Sequence, residues 1–235
     1  MKYMGSKARV FDKFSNIVLE NRGNNLYVEP FCGGCNSIDK VGGKRLACDA
    51  NPYLIAMWEL LLSGWVPRKY TKEEYVLAKS GHPSFSDGEV GWMAFNCSYG
   101  GKYWGGFAGE TATKIGTIRD YQAEAINNVL TQITKLQGVM FQCCDYSEVH
   151  IPPGSTVYLD PPYRGTTGYS GVFDHDAFWD WCRSVSVSNN LFISEYNAPE
   201  DFKCVWSMEV KSSLSANGKS GKNISSVERL FVIDN

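Results

Sequence analysis

Residues 26–52, LYVEPFCGGCNSIDKVGGKRLACDANP, contain two short apolar runs on either side of a glycine-rich stretch. LYVEP predicts a buried strand that runs directly into the turn FCGGC, and RLACDA predicts a second strand that ends at Asp49. Pro52 suits the first turn of a helix, and YLIAMWELLL supplies the body of that helix. A strand, a glycine turn, a second strand and a helix in this order are typical of an α/β fold.

The same alternation continues through the rest of the chain. Helices are predicted over residues 9–19 and 121–137, where apolar side chains recur at helical spacing, and a further helix is predicted after an N-cap at Asp174. Five more strands are predicted, at VMFQCCD, TVYLDPP, NLFISEY, CVWSMEV and the C-terminal RLFVID. We therefore expect an α/β protein built on a Rossmann-like, doubly wound sheet of seven strands.

Residues 63–120 interrupt this alternation with a polar, glycine-rich and aromatic stretch. The stretch is too long to be a simple connection between two elements of a compact domain. We interpret it as an inserted lobe, so that residues 1–62 and 121–235 form the main domain.

The composition limits the class of protein. The 235 residues are 43% hydrophobic and 20% charged, which excludes an intrinsically disordered chain. The formal net charge of −2 argues against indiscriminate polyanion binding, although it is compatible with a local basic face. No apolar stretch approaches the roughly 18 residues of a membrane-spanning helix, and the N-terminus lacks the apolar region of a secretion signal. Because the cysteines are interpreted as free thiols, we expect a soluble, cytoplasmic protein.

The turn after the first predicted strand, residues 29–34 (EPFCGG), lies where an α/β sheet binds its ligands. The chain lacks both the G-x-G-x-x-G spacing and a G-x-x-x-x-G-K-[ST] loop, so a dinucleotide or a triphosphate is disfavoured. Asp49, at the end of the next strand, is placed to accept hydrogen bonds from a ribose diol. For the glycines taken alone, a tight loop without a ligand is the alternative.

Cys32 and Cys35 in this turn also match C-x-x-C, which is compatible with redox chemistry or with half of a zinc site. No second C-x-x-C exists in the sequence, and the three histidines are scattered without ligand spacing. We therefore predict no metal, and a redox protein is kept only as an alternative.

The tetrad Asp160-Pro161-Pro162-Tyr163 directly follows the apolar run TVYL. Two prolines remove two backbone donors and stiffen the main chain, so its carbonyl groups stay available as acceptors. Asp160 and the Pro161 carbonyl could together accept both hydrogens of an exocyclic amine, and Tyr163 offers a flat face for a planar base. In the alternative interpretation the prolines end a strand and Tyr163 packs in the core.

Three motifs together carry a family resemblance: KYMGSK at residues 2–7, EPFCGG at 29–34 and DPPY at 160–163. In content and order they resemble the Dam-like (D12 class, alpha-order) S-adenosylmethionine-dependent DNA adenine-N6 methyltransferases, and the resemblance spans nearly the whole chain. One departure is Cys35, which stands where many members of that family carry a third glycine.

The resemblance implies S-adenosylmethionine as the methyl donor and no metal. The target adenine would be rotated out of the duplex, with its amine held by Asp160 and Pro161 and its ring stacked on Tyr163. Asp145 would face the adenine ring of the cofactor, although it could instead cap the next turn. The residues that the resemblance implies for cofactor binding are Tyr3, Lys7, Glu29, Phe31, Gly33, Asp49, Asp145 and Asp160.

Double-stranded DNA is the implied partner, with residues 63–120 as a target-recognition lobe and the protein as a monomer or weak dimer. Cations and aromatic residues of the basic N-terminus, the lobe and a Ser- and Gly-rich C-terminal loop are candidate DNA contacts. For each lysine the alternative is a solvated surface, and for the aromatic residues it is a lobe core. The candidates are Lys2, Arg9, Asn96, Tyr99, Lys102, Tyr103, Arg119, Lys219 and Lys222.

Two alternative functions stay close to this one. A cytosine-N4 DNA methyltransferase would use the same pair of acceptors on a different ring amine. A catalytically silent DNA-binding relative would keep the fold without turnover, but the intact tetrad ending in Tyr163 argues against it.

Overall fold

The computed structural model describes residues 1–113, 116–163, 173–211 and 225–233. The helices of these ranges are α1 Phe11–Leu19, α2 Pro52–Leu62, α3 Lys72–Lys79, α4 Asp87–Asn96, α5 Tyr121–Ile133 and α6 His175–Ser186. The strands are β1 Tyr27–Glu29, β2 Arg45–Asp49, β3 Glu110–Ala112, β4 Ile118–Asp120, β5 Val139–Cys143, β6 Thr156–Leu159, β7 Asn190–Glu195, β8 Phe202–Lys211 and β9 Ser225–Ile233.

Seven of these strands form one sheet in the order β5-β2-β1-β6-β7-β9-β8. The pairs β2–β5, β1–β6 and β6–β7 are parallel, whereas β9 is antiparallel to both β7 and β8. The prediction of an α/β protein with a Rossmann-like sheet of seven strands is confirmed. The antiparallel β9 distinguishes this sheet from one in which every strand is parallel.

Two of the parallel strands, β2 and β6, are buried as their sequences predict. All four residues of β6, TVYL, are buried, and so are the first four residues of β2, RLAC. Continuous apolar runs of this kind are typical of parallel strands that are covered on both faces. The polar residue that ends the run, Asp49 in β2 and Asp160 after β6, is partly exposed in both cases.

Local side-chain hydrogen bonds explain where the helices begin. Asn51 accepts hydrogen bonds from the N–H groups of Tyr53 and Leu54, and Pro52 occupies the first turn of α2. Asp174 accepts from the first turn of α6, which confirms the predicted N-cap. The first predicted helix begins two residues later than expected, at Phe11, and the helix predicted from residue 121 ends at Ile133.

Residues 63–120 begin where α2 ends and stop where α5 begins. They contain α3, α4 and the antiparallel hairpin β3–β4. Helix α4 packs against α2 so closely that a Cβ atom at Gly91 would overlap the backbone carbonyl of Tyr53. The function of this segment as a recognition lobe stays a prediction.

The chain divides into two compact units. The first contains residues 1–12 and 29–149, and the second contains residues 13–28 and 150–235. No helix in the part of the chain that the structure describes is both long and apolar enough to cross a membrane.

Candidate active site

In the first unit, the glycine turn is tied to the end of β2 by the Asp49 carboxylate. Asp49 Oδ2 accepts the N–H of Gly33 at 3.0 Å, and Oδ1 accepts the N–H of Asn51 at 3.0 Å. Burial raises the pKa of Asp49, while these two hydrogen bonds act in the opposite direction. A carboxylate has about four acceptor positions, so two remain for hydroxyl groups of a ligand.

Tyr3 covers the glycines of this turn. Gly33 has a positive φ of 45°, and a Cβ atom there would lie 2.7 Å from Tyr3 Cε1. A Cβ atom at Gly34 would lie 2.6 Å from Tyr3 Cβ. Neither glycine therefore has room for a side chain. Tyr3 thus brings the predicted N-terminal motif into contact with the predicted glycine turn. Lys7, also of that motif, is 8% exposed.

Two side chains donate hydrogen bonds to the carbonyl groups of the turn. Neither was predicted from the sequence. Trp58 Nε1 donates to the Gly33 carbonyl at 3.1 Å. Gln132 Nε2 donates to the carbonyls of Gly34 and Cys35 at 3.0 and 3.1 Å. Gln132 is 4% exposed on an otherwise amphipathic helix, and a buried glutamine needs such partners.

Cys35 adopts a left-handed backbone conformation, with φ at 53°. This is the position where the resemblance leads one to expect glycine, which reaches such a φ without steric cost. Burial raises the pKa of both Cys32 and Cys35. A redox-active thiol needs a lowered pKa and some exposure, so the geometry disfavours the redox alternative.

The ends of β1 and β5 bring further predicted residues together. Phe31 stacks on Tyr146 with ring centroids 5.2 Å apart and planes at 29°. Asp145 Oδ1 accepts the N–H of Ser147 at 3.0 Å and its hydroxyl at 2.6 Å, so Asp145 caps the short helical turn that follows. Its predicted role toward the cofactor stays a prediction. Glu29 at the end of β1 is 1% exposed.

In the second unit, the tetrad follows β6 directly. Tyr163 donates a hydrogen bond to Glu228 Oε2 at 2.9 Å, and its ring lies edge-on to Tyr196 with centroids 4.6 Å apart. Tyr163 is 9% exposed, and burial raises its pKa. Asp160 and Pro162 are partly exposed. Glu228 and Tyr196 were not predicted, because nothing in the local sequence links β7 or β9 to the tetrad.

The candidate DNA contacts divide into three groups. The exposed ones are Lys2, Arg9, Tyr99, Lys102, Tyr103 and Arg119. Asn96 is 6% exposed, and its amide donates to the sulfur atoms of Met57 and Met1, so this arrangement does not support its predicted contact with DNA. Lys219 and Lys222 lie outside the described residues.

Within the described ranges, no group of three or more histidine, cysteine, aspartate or glutamate side chains is arranged to hold a metal ion.

A seven-stranded α/β sheet, with a glycine turn hydrogen-bonded to an acidic strand end, defines a protein of the Rossmann-like class. Within that class, residues 3–79 match the family described as D12 class N6 adenine-specific DNA methyltransferase. This match confirms the predicted resemblance over the residues that it covers. The matched segment, about a third of the chain, includes the glycine turn and Asp49 and ends before Asp160.

Two solved structures of the rRNA methyltransferase aviRa from Streptomyces viridochromogenes are similar to this chain. One is 12% identical over 99% of this chain and 86% of that chain, with a TM-score of 0.44. The other is 13% identical over 96% and 84%, with a TM-score of 0.43. No curated protein matches the chain in sequence.

Proposed function

We propose that the protein transfers a methyl group from S-adenosylmethionine to the N6 amino group of an adenine that is rotated out of double-stranded DNA. The observation that carries the choice of acceptor is the tetrad at the end of β6, with a partly exposed Asp160 followed by two prolines and a fixed Tyr163. The family match supports the same reaction class.

The donor set of the first unit fits S-adenosylmethionine. Asp49 keeps two acceptor positions for the ribose hydroxyls after its bonds to Gly33 and Asn51. Phe31, stacked on Tyr146, borders the methionine part, and Asp145 faces the adenine ring of the cofactor. Tyr3, Lys7 and Glu29 complete the surroundings of the turn. When bound, the cofactor supplies a sulfonium methyl group that is already electrophilic.

The residues of the tetrad prepare the amine. The lone pair of an adenine amino nitrogen is delocalised into the ring, so the nitrogen is a poor nucleophile until its geometry changes. Asp160 and the Pro161 carbonyl accept its two hydrogens and thereby direct the lone pair out of the ring plane. As positive charge develops on the nitrogen, the Asp160 carboxylate stabilises it electrostatically. No covalent enzyme intermediate is needed, which agrees with the raised pKa of the buried Cys32 and Cys35 thiols.

Rotating the base out of the duplex costs a few kcal/mol. Stacking on Tyr163 returns roughly 1–3 kcal/mol, and contacts to phosphate supply much of the remainder. The exposed candidates for these contacts are Lys2, Arg9, Tyr99, Lys102, Tyr103 and Arg119.

The test is expression of the protein in a host that lacks DNA methylation, followed by mass spectrometry of the nucleosides of host DNA. N6-methyladenine is expected, and an Asp160→Ala variant expressed at the same level is the matched control. N4-methylcytosine alone would show that the acceptor base is cytosine, and the absence of both products from a folded protein would overturn the proposal.

A further inference from the structure

Glu124 on α5 binds two exposed cations at once. Lys2 Nζ lies 2.7 Å from Glu124 Oε2. Arg119, at the end of the β3–β4 hairpin, donates from Nε to Oε1 at 2.7 Å and from its terminal nitrogen to Oε2 at 2.9 Å. All three side chains are more than a third exposed. One carboxylate therefore satisfies a lysine from the N-terminal motif and an arginine from the predicted recognition segment.

An aromatic ring holds both cations in place. The Arg119 guanidinium lies 4.6 Å from the centroid of the Tyr121 ring, and Lys2 Nζ lies 5.5 Å from it. Tyr99, which is 45% exposed, packs edge-on against the same ring with centroids 5.4 Å apart. Ion pairs between long side chains on a surface usually lose entropy when they form, and contact with a rigid ring reduces that loss.

The two cations present the geometry that also recognises a phosphate group. Arginine binds the oxygens of a carboxylate or a phosphate through the same pair of parallel N–H groups, and lysine adds a point charge. The hydrogen bonds from Arg119, and then from Lys2, lower the pKa of Glu124 to about 2, so the carboxylate is ionised at neutral pH. In the free protein Glu124 thus occupies the place that a phosphate oxygen pair would take.

We propose that Lys2 and Arg119 form a binding site for a phosphate of the DNA backbone, and that Glu124 fills this site in the free protein and is displaced when DNA binds. The inference rests on the proposed function, because it takes DNA as the substrate. It adds a consequence for affinity: a DNA phosphate must first displace Glu124 from Lys2 and Arg119, so the internal carboxylate weakens the binding of DNA at this site.

Replacement of Glu124 by Gln tests this directly. The variant keeps the size of the side chain and removes the charge that competes with phosphate. Its affinity for a fluorescently labelled 25-base-pair duplex, measured by anisotropy, should rise roughly three- to tenfold, since two exposed ion pairs no longer have to be broken.

Glu74→Gln is the matched control. Arg68 binds Glu74 through two hydrogen bonds, at 2.7 and 3.2 Å, and lies 3.9 Å from the centroid of the Tyr70 ring, so the local geometry is closely similar. We expect Glu74→Gln to leave DNA affinity unchanged within twofold. In the double variant Arg119→Gln/Glu124→Gln the gain seen with Glu124→Gln alone should be lost.

Each result decides a different question. A wild-type protein that does not bind the duplex would overturn the proposed DNA substrate together with this inference. If the wild type binds but Glu124→Gln binds no tighter, or if Glu74→Gln gains as much, only the inference is overturned. Thermal unfolding of every variant shows whether the fold is retained, and a Glu124→Gln variant that is folded yet binds more weakly would identify Glu124 as a structural anchor for Lys2 instead.

Discussion

The hydroxyl of Tyr163 donates a hydrogen bond to the Glu228 carboxylate, 2.9 Å away, and so fastens the residue that closes the tetrad to strand β9. The ring of Tyr196 packs edge-on against Tyr163 and restricts it from a second direction. A ring held in this way cannot turn freely about its side-chain bonds. The ring is therefore held at a fixed angle, and a stacking platform for a planar base needs such a fixed ring.

Two substitutions separate the hydrogen bond of Tyr163 to Glu228 from the stacking of its ring on the base. Replacement by Phe keeps the ring and loses the hydrogen bond to Glu228, so the rate of methylation should fall less than tenfold, in line with about 1 kcal/mol for one hydrogen bond. Replacement by Ala removes stacking as well, and the rate should fall roughly 5- to 150-fold. Single-turnover methylation of a duplex measures both, and equal rates for the two variants would contradict the stacking role.

Asp160 is expected to act on the transition state rather than on DNA binding. Asp160→Ala should reduce turnover by roughly a hundredfold or more while the affinity for DNA changes little, by analogy with the loss of one transition-state hydrogen-bond partner. Asp160→Asn keeps an acceptor oxygen without the charge and should lie between Ala and wild type. Turnover by single-turnover assay and affinity by anisotropy are measured on the same preparations. An unchanged rate in Asp160→Ala would contradict the role we assign.

Asp49 predicts a pH dependence for cofactor binding. Burial raises its pKa, so it protonates at a higher pH than an exposed aspartate and then loses acceptor capacity for ribose hydroxyls. The affinity for S-adenosylmethionine should therefore fall as the pH drops toward the raised pKa. Protonation of a group whose pKa is raised in the folded state favours that state, so this loss is not caused by unfolding.

Isothermal titration with S-adenosylmethionine between pH 8 and pH 5 measures this effect. Asp49→Asn should bind weakly at every pH and show a flatter profile. Asp12→Asn, at an exposed acid paired with Lys40, should follow the wild type. A wild-type affinity that does not change as the pH falls would argue against Asp49 as the acceptor for the ribose.

The parts of the fold that could be predicted are those in which a few consecutive residues contain the entire sequence pattern that identifies the element. The apolar run of β6 and the acid that follows it are adjacent in sequence, and so are the glycine turn and β2. The helices α3 and α4 were not predicted, because polar residues in α3 and glycines in α4 weaken the helical spacing of their apolar residues. Their capping boxes, Thr71 with Glu74 and Ser86 with Glu89, are S/T-x-x-E signals that could have revealed both helices.

The site residues that could not be predicted have partners far away in the sequence. Gln132 binds the turn carbonyls across almost a hundred residues, and Glu228 reaches Tyr163 across 65. Neither contact leaves a local pattern. For Asn96, in contrast, an exposed side chain was predicted from its aromatic and glycine-rich surroundings. Helix α4 instead directs this side chain toward Met57.

Cys35 allows a prediction about backbone strain. A residue with a side chain in the left-handed region costs roughly 1–2 kcal/mol, which glycine avoids. Cys35→Ala and Cys35→Gly both lose the buried sulfur, but only the second relieves the strain. Cys35→Gly should therefore be more stable than Cys35→Ala by about 1 kcal/mol, even though glycine at other positions normally lowers stability. Urea unfolding of both variants decides this, and a more stable Ala variant would contradict the assigned φ.

Gly91 sets the distance between α4 and α2. Alanine is the better helix former by about 1 kcal/mol, yet its Cβ atom would overlap the Tyr53 carbonyl, and backbone cannot move aside as a flexible side chain does. Overpacking of this kind costs typically 1–3 kcal/mol, so Gly91→Ala should lower the free energy of unfolding. Gly42→Ala is the control, because a Cβ atom there meets nothing within 4 Å. Tyr53 follows Asn51 and Asp49 closely in the chain, so Gly91→Ala should also bind S-adenosylmethionine more weakly. A Gly91→Ala variant as stable as the wild type would show that α2 and α4 are not held at backbone contact.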